Sequence, residues 1–280
     1  MRILVYDVAA SSGGALTVLN SFYEEFSKDT KNEYIFVLSV CELKEQPHIK
    51  VLNFPWIKRS PLHRMYFDQV LAHKLVKKYH ADKVLSLQNI ELPHAGVPQM
   101  VYEHNALPFS EYKFRPQEAF RPWYSQQILG RMMKKSIRRA EQVLVQTNWM
   151  KEEIIRQCGI PADRVEVKFP PVEMLKTHPW KMDEACPTFF YPAGPPAYKN
   201  HRTFLKACEL LKEQGMEDYR VIWTVTGEEN EGIKKLKAEA EENKLPIEFI
   251  GPVPRTQLFE QYASSVLVFP SYIETIGLPL

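Results

Sequence analysis

Three short stretches combine residue types and spacing suited to holding an anion or a sugar. The first is Gly13-Gly14, between the apolar run Arg2–Tyr6 and a helical stretch. A glycine pair there lets the backbone approach a phosphate and aim N–H groups at it, and it equally suits a simple tight turn. The second is Tyr191-Pro-Ala-Gly194-Pro-Pro-Ala-Tyr-Lys199-Asn200-His201, which leads from a second apolar run into a helical pattern. A Lys just ahead of a helix N-terminus adds a point charge to the helix dipole and its open N–H groups, which makes an anion site. The alternative is an exposed Lys with Asn200 as the helix cap. The third is Phe269-Pro-Ser-Tyr-Ile-Glu274-Thr-Ile276-Gly277-Leu278-Pro-Leu280. Glu274 there can accept hydrogen bonds from sugar hydroxyls while Gly277 allows a tight turn. A plain strand-terminal turn is the alternative.

These stretches need elements to hold them. Short β-branched runs alternate with helical ones along the chain. Arg2–Tyr6, Glu33–Leu38, Ile49–Phe54, Val84–Leu87, Met100–Tyr102, Val143–Gln146 and Val165–Phe169 read as strands. Tyr66–Tyr79 has helical apolar spacing, and Thr147 or Asn148 can cap a helix that runs to Cys158, with Gly159 beyond it. Pro170-Pro171 and the aperiodic stretch to Pro187 mark a linker. The alternation then resumes with strands Phe189–Tyr191, Val221–Val225, Ile247–Ile250 and Val266–Phe269, and helices His201–Lys212, Ile233–Glu242 and Thr256–Ala263. This pattern predicts an α/β chain of two parallel-sheet domains, 1–171 and 172–280, with ligand loops at the carboxyl edges of the strands. The second domain offers four strands and stops at Leu280, so Val266–Phe269 is expected to form an uncovered apolar edge of the kind sheets avoid. That pattern points to a truncated chain or a missing partner.

Composition excludes several classes. The chain has 280 residues, 36 Lys and Arg against 34 Asp and Glu, 45% hydrophobic residues and 25% charged ones. Those values are ordinary for a globular protein, and a net charge of +2 lacks the footprint of a nucleic-acid binder. No window is long and apolar enough for a membrane span, and Asp7 interrupts the short apolar N-terminus, which therefore does not read as a signal peptide. The four cysteines are far apart and form no CxxC, as expected of a reduced, cytoplasmic protein. The loop Ala9–Gly14 lacks the three glycines of a dinucleotide fingerprint. Gly227-Glu-Glu-Asn-Glu-Gly232 begins like a P-loop, but Ile233 stands where Lys is required and its acidic residues repel phosphate. HExxH, GxSxG and any DxD pair for a metal–diphosphate complex are absent.

The order and wording of these segments resemble the GT-B glycosyltransferases, in particular the large retaining family 4 group. Lys199-Asn200-His201 is similar to that family's "KN" segment, and Thr226-Gly227 ends the following strand as a Gly commonly does there. Phe249-Ile-Gly-Pro252-Val253-Pro254 resembles the element that holds the nucleotide base. Phe269-Pro-Ser…Glu274-Thr-Ile-Gly-Leu-Pro-Leu280 resembles the "FPS…EGFGLPxLE" signature. Glu103-His104-Asn105 and Val143–Met150 are family-like in the first domain. There are two departures. Gly194 stands where the family often has an Arg, and the signature's second Glu falls at position 282, past the last residue.

The resemblance implies two Rossmann-like domains facing a cleft, with residues 1–171 on the acceptor side and 172–280 a partial nucleotide-sugar domain. It implies retaining transfer of a sugar from a nucleoside-diphosphate sugar to an acceptor hydroxyl, in polysaccharide or glycolipid synthesis, without a metal or other cofactor. Lys199, the Gly13-Gly14 loop and the amides of Ile276, Gly277 and Leu278 would stabilise the leaving diphosphate. Glu274 would position the donor sugar, and His104 would meet the sugar or acceptor. Gly194, Asn200, Thr226, Gly227, Pro252 and Val253 would line the donor site. With position 282 beyond its end, this form is expected to be weak or inactive. A non-catalytic or partner-completed sugar-nucleotide-binding fragment and a sugar-nucleotide epimerase are the alternatives. The expected partners are a nucleotide sugar and a glycan or lipid-linked acceptor, with no nucleic acid. Trp56–Phe67 and Phe114–Arg139 mix cations with large apolar groups. They suit either an anionic membrane at the inner face or helices with a solvated basic side.

Overall fold

The computed structural model describes residues 1–11, 13–169, 180–181 and 183–276. Two compact units are present: Met1–Glu111 with Tyr124–Pro171, and Tyr112–Trp123 with Val172–Leu280. The division expected at 171/172 therefore needs one change. Tyr112–Trp123, inside the first domain by sequence, belongs with the second unit, because Tyr112 and Phe114 pack their rings on Tyr272.

The first unit is a seven-stranded parallel sheet. Its elements are β1 (Arg2–Asp7), α1 (Gly13–Ser27), β2 (Glu33–Leu38), β3 (Ile49–Asn53), α2 (Pro61–Tyr66), α3 (Ala72–Lys78), β4 (Lys83–Ser86) and β5 (Gln99–Glu103). After α4 (Phe120–Tyr124), whose residues up to Trp123 belong to the second unit, come α5 (Gly130–Arg139), β6 (Gln142–Val145), α6 (Asn148–Cys158) and β7 (Val165–Val167). The strand order is β3-β2-β1-β4-β5-β6-β7. β1 is apolar on both faces because helices cover both. Val5 packs with Val18, Leu19 and Phe22 of α1, while Leu4 and Tyr6 pack with Phe67, Ala72 and Val76 on the opposite face. The helix read from Tyr66 begins earlier, at Pro61, where the Ser60 side chain accepts the His63 N–H. One wide turn, Phe67–Leu71, joins α2 to α3, and another, Ser125–Leu129, joins α4 to α5. Thr147 accepts the Met150 N–H at 3.2 Å and Gly159 closes α6 with φ 66°, as the cap residues predict.

The second unit is a four-stranded parallel sheet ordered β10-β9-β8-β11. Its elements are β8 (Thr188–Tyr191), α7 (His201–Glu213), β9 (Arg220–Trp223), α8 (Glu231–Glu242), β10 (Ile247–Phe249), α9 (Arg255–Ser264) and β11 (Val266–Leu267). The core gathers Tyr191, Leu205, Val221, Trp223 and Leu236. Asn230 caps α8 by accepting the Ile233 N–H, which starts that helix two residues earlier than its apolar pattern indicates. β11 lies at the edge of the sheet among the described residues, but it is shorter and better covered than expected. Val268 and Phe269 leave the strand and pack against the core.

Candidate functional site

In the second unit the loops after β8 and β11 are laced together at the carboxyl edge of the sheet. Tyr191 ends β8 fully buried, and its hydroxyl donates to the Lys199 carbonyl at 2.6 Å and lies 2.8 Å from Ser271 Oγ. Pro195 and Pro196 stiffen the chain before the short turn Ala197–Lys199. Asn200 then takes a left-handed conformation, φ 59° and ψ 40°, which Asn tolerates better than most residues. Its amide donates to the Pro270 carbonyl at 3.0 Å, and the Tyr272 N–H donates to the Tyr198 carbonyl at 2.9 Å. This lacing brings Lys199 Nζ to 2.5 Å from Glu274 Oε1, with the two side chains 19% and 23% exposed. The ammonium also lies 5.5 Å from the centre of the Tyr198 ring. Burial, and then the Glu274 charge, raise the Tyr198 phenol pKa.

Lys199 is not a solvated lysine, and the Asn200 side chain accepts no backbone N–H of α7. Its Nδ2 reaches the neighbouring loop, while its Oδ1 accepts the Thr203 hydroxyl at 3.0 Å. His201, the first residue of α7, is buried between the Tyr191 and Trp223 rings, 4.9 Å from each centroid. Burial first, and then Lys199, push its imidazole down to about 4, so it is neutral at physiological pH.

The remaining residues that the resemblance assigns to the donor lie along the same edge. Gly194 is exposed, and a Cβ added there would meet only Pro196 Cδ at 3.6 Å. The Asn230 amide donates to the Pro195 carbonyl at 3.2 Å, tying the loop after β9 to the loop after β8. Within the former, Gly227 needs φ 94°. The N–H groups of Thr226 and Gly227 already hold an anion: the Glu229 carboxylate accepts them at 2.5 and 3.1 Å. Partial burial opposes that charge, but these hydrogen bonds outweigh it and lower the Glu229 pKa. In this structure the two amides are therefore occupied by the chain's own carboxylate. Gly251 rests against Thr226 and donates to the Val225 carbonyl at 3.2 Å, which places Pro252 and Val253 beside that loop. Ile276 is half-buried. Gly277 and Leu278 lie outside the described residues.

In the first unit Gly13, with φ 59°, and Gly14 open α1, both exposed and with nothing within 4 Å of an added Cβ. His104 follows β5. Asn89, itself at φ 64°, accepts the His104 N–H at 2.7 Å, and Nε2 lies 3.2 Å from the Leu87 carbonyl. Burial lowers the imidazole pKa, and Nε2 lies 3.2 Å from both the Leu87 carbonyl, an acceptor, and the Asn89 amide nitrogen, a donor. The structure adds a cluster that the motifs do not reveal, at the end of β1. Asp7 accepts the Ala10 N–H at 3.1 Å with its other oxygen unpartnered, and burial lifts its carboxyl to about 7. Lys58 donates to the Ala9 carbonyl, and Arg64 bridges Asp68 and Gln88. The sequence carried one signal for this cluster, a lone acidic residue closing an apolar strand.

Among the described residues, no group of three or more His, Cys, Asp or Glu is placed to hold a metal ion, and no helix is long and apolar enough to cross a membrane.

Two α/β units with parallel sheets of these strand orders form the GT-B glycosyltransferase fold, as comparison with solved structures shows. The lipopolysaccharide outer core galactosyltransferase WaaB superposes with a TM-score of 0.62 at 16% identity, over 97% of this chain and 74% of that one. WaaG, a glycosyltransferase involved in lipopolysaccharide biosynthesis, gives 0.65 at 12% identity, over 99% and 77%. The E. coli structure described as trehalose-6-phosphate bound with UDP-2-fluoro glucose gives 0.60 at 10% identity, over 99% and 80%. Residues 12–174 match the model of Glycosyltransferase Family 4, and residues 180–280 match that of Glycosyl transferases group 1. The chain belongs to Glycosyltransferase Family 4 and is a glycosyltransferase. No curated protein matches it in sequence.

Proposed function

We propose that this chain moves a sugar from a nucleoside-diphosphate sugar to an acceptor hydroxyl, with retention of anomeric configuration and without a metal. The observation that carries this reading is the Lys199–Glu274 pair: one cation and one carboxylate set side by side at the carboxyl edge of the second sheet. A diphosphate gathers negative charge as its bond to the sugar breaks, and a fixed ammonium lowers the energy of that state more than of the ground state. Lys199 is that ammonium, held by the Tyr191 hydroxyl on its own carbonyl. Glu274 accepts hydrogen bonds from donor-sugar hydroxyls and so orients the reacting carbon. His104 offers Nδ1 to a hydroxyl. Departure of the leaving group on the face the acceptor attacks gives retention without a covalent nucleophile. Incubation with GDP-mannose and a panel of UDP-sugars tests this reading through release of the nucleoside diphosphate. One donor should be consumed by the unaltered chain, slowly, as the weak activity expected from its sequence implies, and not by Lys199→Ala. Equal consumption by both would contradict it.

The acceptor side is proposed to meet an anionic membrane. Leu62, Met65, Tyr66 and Val70 form an exposed stripe on the helix that begins at Pro61, and Ile128 and Met132 form one leading into and along α5. Both helices lie on the same face of the sheet. Leu4 and Val84 are register partners under Phe67, Ala72 and Val76, and Ser86, Val101 and Val143 continue that face under Ile137. Exposed Arg59, Arg131 and Lys135 flank the stripes with positive charge. Co-sedimentation with phosphatidylglycerol vesicles, but not with phosphatidylcholine vesicles, supports this contact. A Met65→Glu/Met132→Glu variant that still sediments would remove it.

A further inference from the structure

The loop that carries Glu274 is gripped by residues from a distant part of the sequence. Tyr112 stacks flat on Tyr272, with ring centroids 4.2 Å apart and planes at 8°. Phe114, 3% exposed, meets both rings edge-on, at 4.8 Å from Tyr112 and 5.9 Å from Tyr272. Glu118 steadies the base of this clamp: its carboxylate accepts the Tyr112 hydroxyl at 2.5 Å and the Arg115 N–H at 3.4 Å. The other end of the clamp leads into the site. Tyr272 stands two residues before Glu274, and its N–H donates to the Tyr198 carbonyl, immediately before Lys199. Tyr272 thus ties the loops of both members of the ion pair, its ring held by Tyr112 and its backbone N–H holding Tyr198. The residues before and after Tyr112–Trp123 pack in the first unit, while this segment alone packs in the second.

We infer that Tyr112 and Phe114 are positioning residues for Glu274: their rings hold Tyr272, and through it the 270–274 loop, where the carboxylate can meet a donor sugar. The physical reason is entropic as well as enthalpic. A loop without regular hydrogen bonding samples many conformations, and each lost conformer of a carboxylate-bearing residue must be offset by some contact. Offset-stacked and edge-to-face rings supply that contact with a defined geometry, unlike a featureless apolar cluster. Tyr112 acts only through Tyr272 and Glu274 and touches no reacting atom itself. The inference rests on the donor-site reading proposed above.

The test separates the sugar from the diphosphate. Binding of UDP, GDP, UDP-glucose and GDP-mannose is measured by calorimetry on the unaltered chain and on Tyr112→Ala, Tyr112→Phe, Glu274→Ala and Tyr112→Ala/Glu274→Ala. For whichever base binds, the ratio of sugar-nucleotide affinity to bare diphosphate affinity is compared. Tyr112→Ala should weaken sugar-nucleotide binding about tenfold, as expected for loss of two ring pairs, with diphosphate affinity close to that of the unaltered chain. Tyr112→Phe keeps the stacked ring and should keep the ratio. Adding Tyr112→Ala to Glu274→Ala should change nothing further, because the effect travels through Glu274. Equal losses for diphosphate and sugar nucleotide, or an additive double variant, would mean a merely structural role and overturn the inference while leaving the donor site standing. Absence of nucleotide binding in the folded, unaltered chain would overturn the functional reading and the inference with it.

Discussion

Replacing Glu274 by Gln should improve binding of a bare diphosphate and impair sugar transfer, two effects of opposite sign from one substitution. In the ligand-free protein Lys199 is neutralised by Glu274 at 2.5 Å. A diphosphate that needs this ammonium must compete with the carboxylate for it. An exposed ion pair contributes about 0.2–1 kcal/mol, while breaking a buried one costs about 3–5 kcal/mol. With side chains 19% and 23% exposed, this pair falls between those limits, at about 1–3 kcal/mol. Gln preserves the shape and removes the competing charge. UDP or GDP should therefore bind about tenfold more tightly, since 1.4 kcal/mol is a factor of ten. The same change removes a charged acceptor for sugar hydroxyls, worth about 1.5–3 kcal/mol, so turnover should fall about 10- to 100-fold. Calorimetric titration measures the first effect and diphosphate release the second. Diphosphate affinity that is unchanged or weaker in Glu274→Gln would refute the competition.

Other expectations follow from single positions. Gly194→Arg should strengthen diphosphate binding, because the position is exposed, has room for a Cβ, and stands where related enzymes often carry a second cation; weaker binding by calorimetry would contradict this. Gly227→Ala forces a side chain onto φ 94° and should cost about 1–2 kcal/mol, read as a lower melting temperature for the second unit. Asp7 holds its proton up to about pH 7 when folded, against 3.8 for a free aspartate side chain, so its contribution to stability is complete below pH 4 and is lost as the pH rises towards 7. The loss is at most about 4 kcal/mol, and Asp7→Asn should flatten that part of the urea-midpoint profile; an unchanged slope would exclude Asp7 as its source.

Most of the framework was legible because each element announces itself locally. Tyr34–Leu38 is an uninterrupted apolar run after Glu33, Thr147 and Gly159 bracket α6, and Gly227 and Gly251 mark turns that need positive φ. Lys199 and Glu274 were legible as separate anion-handling and hydroxyl-binding candidates, each ahead of or behind a regular element. Their mutual ion pair was not, since it depends on Tyr191, Asn200 and Tyr272 lacing two loops 75 residues apart. The same limit hid the placement of Tyr112–Trp123 in the second unit, which ring stacking decides and no periodicity encodes. The acidic residues Glu228-Glu229 were legible as a charge that opposes phosphate. That Glu229 itself occupies the Thr226 and Gly227 amides is a property of its φ/ψ path, which composition does not carry.

The central claim is that Lys199 and Glu274 mark a metal-independent site for a nucleoside-diphosphate sugar. Titration of the chain with GDP, UDP, GDP-mannose and UDP-sugars, with and without Mg²⁺, tests it most directly when Lys199→Ala is run alongside. One base should bind, Mg²⁺ should leave its affinity unchanged, and Lys199→Ala should lose it. Binding that survives Lys199→Ala, or that appears only with Mg²⁺, would contradict it.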